Sequence, residues 1–219
     1  MIKCFFSALL CLLAAQSLQA QSPVKYKEDI RAIKKYDEMY TPPARPILFI
    51  GSSSIRKWND LERTFCNYVV MNRGFGGAVT NDVITYANEL IFDYHPRQIV
   101  IYVGENDLPE GATADSLLNR FKQLYSMIRA KLPQVPIEYI SIKPSPSRVQ
   151  YIQTAEEGNR LIRQFLSGEA NTHFIDVFSL MLDKQHKPRP ELFVDDMLHM
   201  NPKGYAIWRK AIAPYLLKQ

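Results

Sequence analysis

Residues 46–54 read PILFIGSSS: five apolar or proline positions, then Gly51 and three serines. An unbroken apolar run that stops at glycine has the pattern of a short strand buried on both faces. Two more runs share it. Residues 68–71 lead into Asn72-Arg73-Gly74, and residues 98–103 end at Gly104. Residues 137–142 and 173–177 read as a fourth and a fifth strand. Helical periods fill the gaps, at residues 55–61, 80–91, 114–132 and 150–166. The long one carries Leu117, Leu118, Phe121, Leu124, Tyr125 and Ile128 on one stripe. A helix over 202–217 closes the chain, and a charged amphipathic helix over 24–39 precedes the first strand. Apolar strands alternating with helices require a parallel sheet covered on both sides. The expected fold is a three-layer α/β/α sandwich with five parallel strands in the order 2-1-3-4-5. In such a sheet ligands sit beyond the carboxyl ends of the strands.

Outward from that core, 219 residues fit one domain with a short extension. Residues 1–20 have one charge, Lys3, then an apolar run over 4–15 and a small residue at Ala20. This is the layout of a cleaved secretory signal, with the cut expected after Ala20 and an exported, periplasmic or secreted product. The run is short for a membrane span, so no stable membrane insertion is expected after cleavage. Residues 21–45 then form an N-terminal helix and linker, and 46–219 the main domain. Cys4 and Cys11 leave with the signal, so Cys66 remains alone and forms no internal disulfide. It reads as a buried small apolar residue. Loss of Lys3 lowers the formal charge by one from +5, and the basic residues are scattered. No nucleic-acid partner is expected.

Five of the nine glycines, Gly51, Gly74, Gly76, Gly77 and Gly104, follow the first three strands. Around them lie four polar blocks: Gly51-Ser52-Ser53-Ser54, Asn72-Arg73-Gly74-Phe75-Gly76-Gly77, Gly104-Glu105-Asn106-Asp107, and Asp196-Met197-Leu198-His199. Taken singly, each is ordinary cap or turn chemistry. Taken together, they bring a hydroxyl, N–H donors and a carboxylate-supported histidine to one sheet edge. Acyl transfer requires those parts.

In these four ordered blocks, from about residue 46 to 205, the chain resembles the SGNH hydrolases, also called the GDSL esterase/lipase family. The resemblance implies a flavodoxin-like sheet and a serine esterase. It assigns Ser53 as nucleophile, His199 as base and Asp196 as its support. The oxyanion hole it implies is Ser53, Gly77 and Asn106. Ser52 departs from the pattern, standing where the family usually has Asp, and Ala78 stands where a polar residue is common. Ser52 and Ser54 are expected to point away from Ser53, with Ser54 free to cap the next helix. Asp195 competes with Asp196, and spacing favours Asp196.

Arg73 and Lys143 lie at strand ends and are expected to rim the pocket as substrate-binding cations. Glu105 and Asp107 read as solvated or turn-forming. His95, His173 and His186 are dispersed and lack ligand spacing, so no metal and no cofactor is implied. His173 reads as structural and His95 as a surface residue. The expected substrate is a small-molecule or glycan ester, foremost a short acetyl ester of a carbohydrate. The alternatives are a binding protein of the same fold without turnover, an acyltransferase using the same residues, and a flavodoxin-like nucleotide binder. No Gly-x-Gly-x-x-Gly opens a helix after the first strand, which counts against the last.

Overall fold

The computed structural model describes residues 25–218. The expected signal segment, residues 1–20, lies outside the described residues. Five parallel strands form one sheet: β1 (Ile47–Gly51), β2 (Val70–Gly74), β3 (Gln98–Tyr102), β4 (Ile137–Ile140) and β5 (Thr172–Ile175). Their order is β2-β1-β3-β4-β5, as expected. Register places Gly51 beside both Gly74 and Tyr102, so three strands end on one row. The loops that follow therefore open onto one edge.

Alternation along β1 splits the core in two. Leu48 and Ile50 join Ile99, Ile101 and Tyr139 on one face. Ile47 and Phe49 join Val100, Tyr102 and Ile140 on the other. The first face is covered by α1 (Lys27–Met39), by α4 and α5 (Thr80–Thr85 and Ala87–Leu90), by α6 (Ala114–Lys131) and by α7 (Ile152–Leu166). The second is covered by the short α2 (Ser53–Arg56) and α3 (Leu61–Thr64) and by α8 (Pro202–Ile212). Trp208 of α8 meets Tyr102 at 4.7 Å between ring centroids, and Trp58 meets Tyr205 at 5.0 Å. These aromatic contacts seat the C-terminal helix against the turn that follows β1.

Several boundaries differ from expectation. The helix over 80–91 is two helices, broken at Tyr86, whose ring turns into the core and whose hydroxyl donates to Lys25 O at 2.6 Å. The helix over 55–61 is likewise two short turns, α2 and α3. The second strand lies two residues later than expected, because pairing with β1 sets its span. The last helix stops at Ile212 and tightens into a 3-10 turn, since Pro214 bars further α-helix. Cys66 is exposed in the turn after α3, not buried. Its neighbour Phe65 takes the core position instead.

The backbone at Gly51 has φ +130°, and a Cβ there would overlap the carbonyl oxygen of Tyr102 on the adjacent strand. Gly111 also has positive φ, +86°, but faces open space. Gly51→Ala is expected to lose more than about 4 kcal/mol of stability, enough to prevent accumulation of folded protein. Gly111→Ala should cost only about 1–2 kcal/mol, the backbone penalty alone. Chemical denaturation of the two variants checks the contrast.

Candidate active site

Ser53 is the first residue of α2, immediately past the turn that closes β1. Its hydroxyl lies 3.0 Å from His199 Nε2, across 146 residues of sequence. His199 Nδ1 lies 2.5 Å from Asp196 Oδ2. An ionised carboxylate only accepts, so Nδ1 carries the ring proton and Nε2 offers its lone pair to the Ser53 O–H. Asp196 Oδ1 accepts backbone N–H groups from Leu198 at 2.9 Å and His199 at 2.8 Å. Its partial burial pushes the carboxyl pKa up. The His199 ring and those two backbone donors outweigh this and hold it well below the usual carboxylate range.

The loop carrying Asp196 and His199 is braced at its base. Val194 N–H donates to His199 O at 2.9 Å, and Phe193 bridges Met200. Asn201 caps α8, accepting from Lys203 and Gly204 N–H, while its amide donates to Glu191 O and Phe193 O. Pro202 occupies the first turn of that helix, where no N–H is needed. Tyr205 of the same helix donates to Ser54 O at 3.0 Å, tying the histidine's helix to the serine's turn.

Of the three adjacent serines only Ser53 reaches His199. Ser52 and Ser54 are buried, and neither hydroxyl has a hydrogen-bond partner among the described residues. Ser54 sits inside α2 and caps no later helix. Asp195 is exposed, and its neighbour Asp196 makes the bond to the imidazole.

Asn72 stitches the second block to α2. Its amide donates to Ile55 O at 2.7 Å and accepts from Gly74 N–H at 3.0 Å. Gly77 lies beyond with φ +76°. The backbone N–H groups of Ser53 and Gly77 donate to no acceptor among the described residues. Asn106 Nδ2 donates one hydrogen to Ala78 O at 3.0 Å, leaving its second N–H. Ala78 itself is fully buried, so its side chain reaches no pocket.

Glu105 and Asp107 lie in the turn after β3, one of the two alternatives expected, but they are buried rather than solvated. Each is buried because a cation from another element meets it. Glu105 receives Lys143 Nζ, the Ser145 hydroxyl and the Tyr102 hydroxyl at 2.5–2.8 Å. Burial pushes the Glu105 pKa up, but Lys143 and Arg148 outweigh it and lower the carboxyl overall. Asp107 receives Arg120 at 2.7 Å and the N–H of Thr80 at 3.1 Å, joining the third block to the start of α4.

The substrate-binding rim assigned to Arg73 and Lys143 is also corrected. The Lys143 side chain is 0% exposed. The Arg73 guanidinium is spent on Asp37, Tyr94 O–H and Asn72 O. Both are consumed by ion pairing because α1 and the third block supply carboxylates beside them. His173 pairs with Glu138 at the edge strand, a structural role as expected. Sequence spacing passed over Arg148, which donates to Glu105 O at 2.7 Å and Asn106 Oδ1 at 3.0 Å. The available signal was an arginine in the Pro-Ser-Pro-Ser-Arg loop just after the fourth strand. Among the described residues no group of three or more His, Cys, Asp or Glu side chains converges as a metal site would, and no helix is long and apolar enough to cross a membrane.

The family model of GDSL-like Lipase/Acylhydrolase matches residues 50–207. A search of curated proteins finds no match. Among solved structures, a Streptococcus pneumonia protein named provisionally for platelet activating factor superposes with TM-score 0.77 at 21% identity, covering 88% of this chain and 94% of that one. A GDSL-like lipase from Bacteroides thetaiotaomicron gives 0.71 at 16% identity, with coverage of 85% and 96%. An acetyl xylan esterase from Geobacillus stearothermophilus gives 0.62 at 15% identity, with coverage of 80% and 98%. At these identities the structures speak for the fold. The family model, which spans most of the sequence and every block described above, shows that the chain belongs to the GDSL-like lipase/acylhydrolase family of ester hydrolases.

Proposed function

We propose that the protein is a serine esterase that works through an acyl-enzyme. The observation that carries this reading is the continuous chain from Ser53 Oγ through His199 to Asp196. Ser53 Oγ attacks the ester carbonyl while His199 Nε2 takes its proton. The carbonyl oxygen becomes an oxyanion, met by the N–H groups of Ser53 and Gly77 and the second N–H of Asn106. Collapse expels the alcohol, which receives the proton held on His199. Water then attacks the acyl-Ser53, with His199 again as base, and releases the acid. Asp196 holds the ring in the required tautomer and stabilises the imidazolium.

The substrate we propose is a short acyl ester, foremost an acetyl ester of a carbohydrate. The exposed large apolar side chains on the bordering loops are Val149, Val194 and Met197. A long acyl chain gains about 0.8 kcal/mol for each methylene it buries and would need a continuous apolar channel. An acetyl group needs room for one methyl. The acetyl xylan esterase with the same fold makes this class the natural one to test. Export belongs to the same proposal, because a secreted enzyme meets glycans.

Ser53→Ala is expected to lose more than about 10³-fold in turnover of nitrophenyl acetate. Asn106→Ala should lose about 10²–10³-fold while remaining folded. A serine-directed phosphonate should label wild type at Ser53 alone. Hydrolysis by Ser53→Ala at the wild-type rate would sink the mechanism. Acetate release from acetylated glycans, run beside short and long nitrophenyl esters, tests the substrate. The expected order is acetyl fastest, and preference for long chains overturns it. Finally, N-terminal sequencing of protein recovered outside the cytoplasm should begin at or near Gln21, and an intact Met1 there would remove the export reading.

A further inference from the structure

Motif spacing does not mark Arg148, yet it is the residue that grips the Asn106 side chain from behind. It lies in the segment between β4 and α7, where its own backbone (φ −125°, ψ 26°) interrupts a 3-10 turn. One guanidinium nitrogen donates to Glu105 O at 2.7 Å and another to Asn106 Oδ1 at 3.0 Å. We infer that Arg148 is a positioning residue, whose guanidinium dictates that the Asn106 amide presents nitrogen rather than oxygen to the developing oxyanion. This inference rests on reading Asn106 as an oxyanion donor.

A carboxamide has two nearly isosteric ends with opposite polarity. Rotated by half a turn about its last torsion, Asn106 would face an oxyanion with an oxygen. Here two partners oppose that rotation. Ala78 O, an acceptor, stands at Nδ2, and the Arg148 guanidinium, a donor, stands at Oδ1. Rotation would set oxygen against oxygen and N–H against N–H at once. The cation also draws electron density toward Oδ1, which makes the remaining N–H a stronger donor.

The side chains on either side of Asn106 are anchored without Arg148, which itself also holds the Glu105 carbonyl. Glu105 is held by Lys143, Ser145 and Tyr102, and Asp107 by Arg120 and Thr80. Those anchors leave free the amide's own rotation, and beyond its bond to the Glu105 carbonyl Arg148 adds the restraint on that rotation. Arg148 is half-buried, so its loss opens no core cavity. The segment also keeps its backbone bond from Ser147 N–H to Met197 O at 3.1 Å, which no change of the arginine side chain touches.

The test is a double-mutant cycle on the full chain with nitrophenyl acetate as substrate. Arg148→Ala is expected to lower kcat about tenfold or more with KM within about twofold, since the interaction is made in the transition state. Arg148→Lys should fall between, because one ammonium cannot serve both acceptors in the fork geometry of a guanidinium. In the Asn106→Ala background, removing Arg148 should change kcat by less than about twofold, because the group it positions is gone. Full kcat in Arg148→Ala beside an impaired Asn106→Ala overturns the inference. So do losses that multiply in the double variant, or a raised KM with intact kcat, which would make Arg148 a substrate contact. Full activity in Asn106→Ala alone signals a different failure, that of the oxyanion reading itself. If Arg148→Ala does not fold, Arg148→Lys carries the test: wild-type kcat with impaired Asn106→Ala overturns the inference, and reduced kcat at unchanged KM supports it.

Discussion

A 3.0 Å hydrogen bond between Ser53 and His199 joins two groups 146 residues apart, and the arrangement of the fold serves to make that distance short. Neither residue can reach the other by local geometry. The serine is placed by the end of β1, whose last residue sits in the same row as the ends of β2 and β3. The histidine is placed by α8, which lies against the same sheet face through Trp208 on Tyr102 and Tyr205 on Trp58. Tyr205 then closes the circuit with its bond to Ser54 O. Aromatic packing thus converts a sequence separation into a contact. It does so with side chains whose rings lose little rotamer freedom on burial, which suits a joint that must hold to within a fraction of an ångström.

The Asn106 side of the site is held by different physics. Glu105 and Asp107 flank Asn106 and are both buried, an arrangement that costs desolvation unless each charge is met. Lys143 from the β4 exit meets the first, and Arg120 from α6 meets the second. Neither pair is strong evidence of stability, since an apolar replacement of the same shape can hold a core as well. What the pairs do is tie two separate chain segments, the β4 exit and α6, to the loop that carries Asn106. Under the proposed mechanism Asn106 points at charge that exists only transiently, and a donor fixed beforehand needs no reorganisation when that charge forms.

The sheet was legible in the sequence because its strands are short apolar runs punctuated by glycine, a pattern that survives without any knowledge of partners. The four polar blocks followed the same punctuation, whereas strand order is set by which strands pair in the folded sheet and is not written in the runs themselves. Charged residues were not legible in this way. Lys143, Arg73, Glu105 and Asp107 look alike whether solvated or paired, and only the fold reveals that Lys143 faces Glu105 and Arg73 faces Asp37. Arg148 was invisible for the same reason, since its partners are a carbonyl and an amide some forty residues upstream. Element ends moved where a tertiary demand overrode the local pattern. Tyr86 broke a helix to reach the core, and β2 took its span from pairing with β1.

The two halves of the site are held in place by different means. Asp196 is 45% exposed on its side chain, and the loop bearing it holds itself with its own backbone bonds. Asn106 instead sits between two buried carboxylates, each met by a cation from another element. Under the proposed mechanism the histidine accepts a proton, carries a positive charge and then returns the proton, and the half-exposed Asp196 beside it stabilises that charge. The proposed oxyanion donors never change charge. Ser53 and Asn106 are half-buried and Gly77 is exposed, so what such donors gain here is fixed orientation rather than a water-free setting. Fixed orientation is therefore what the bracing supplies, and the charged residues that brace the site gather around Asn106, whose amide is free to turn, rather than around His199, whose ring Asp196 already holds.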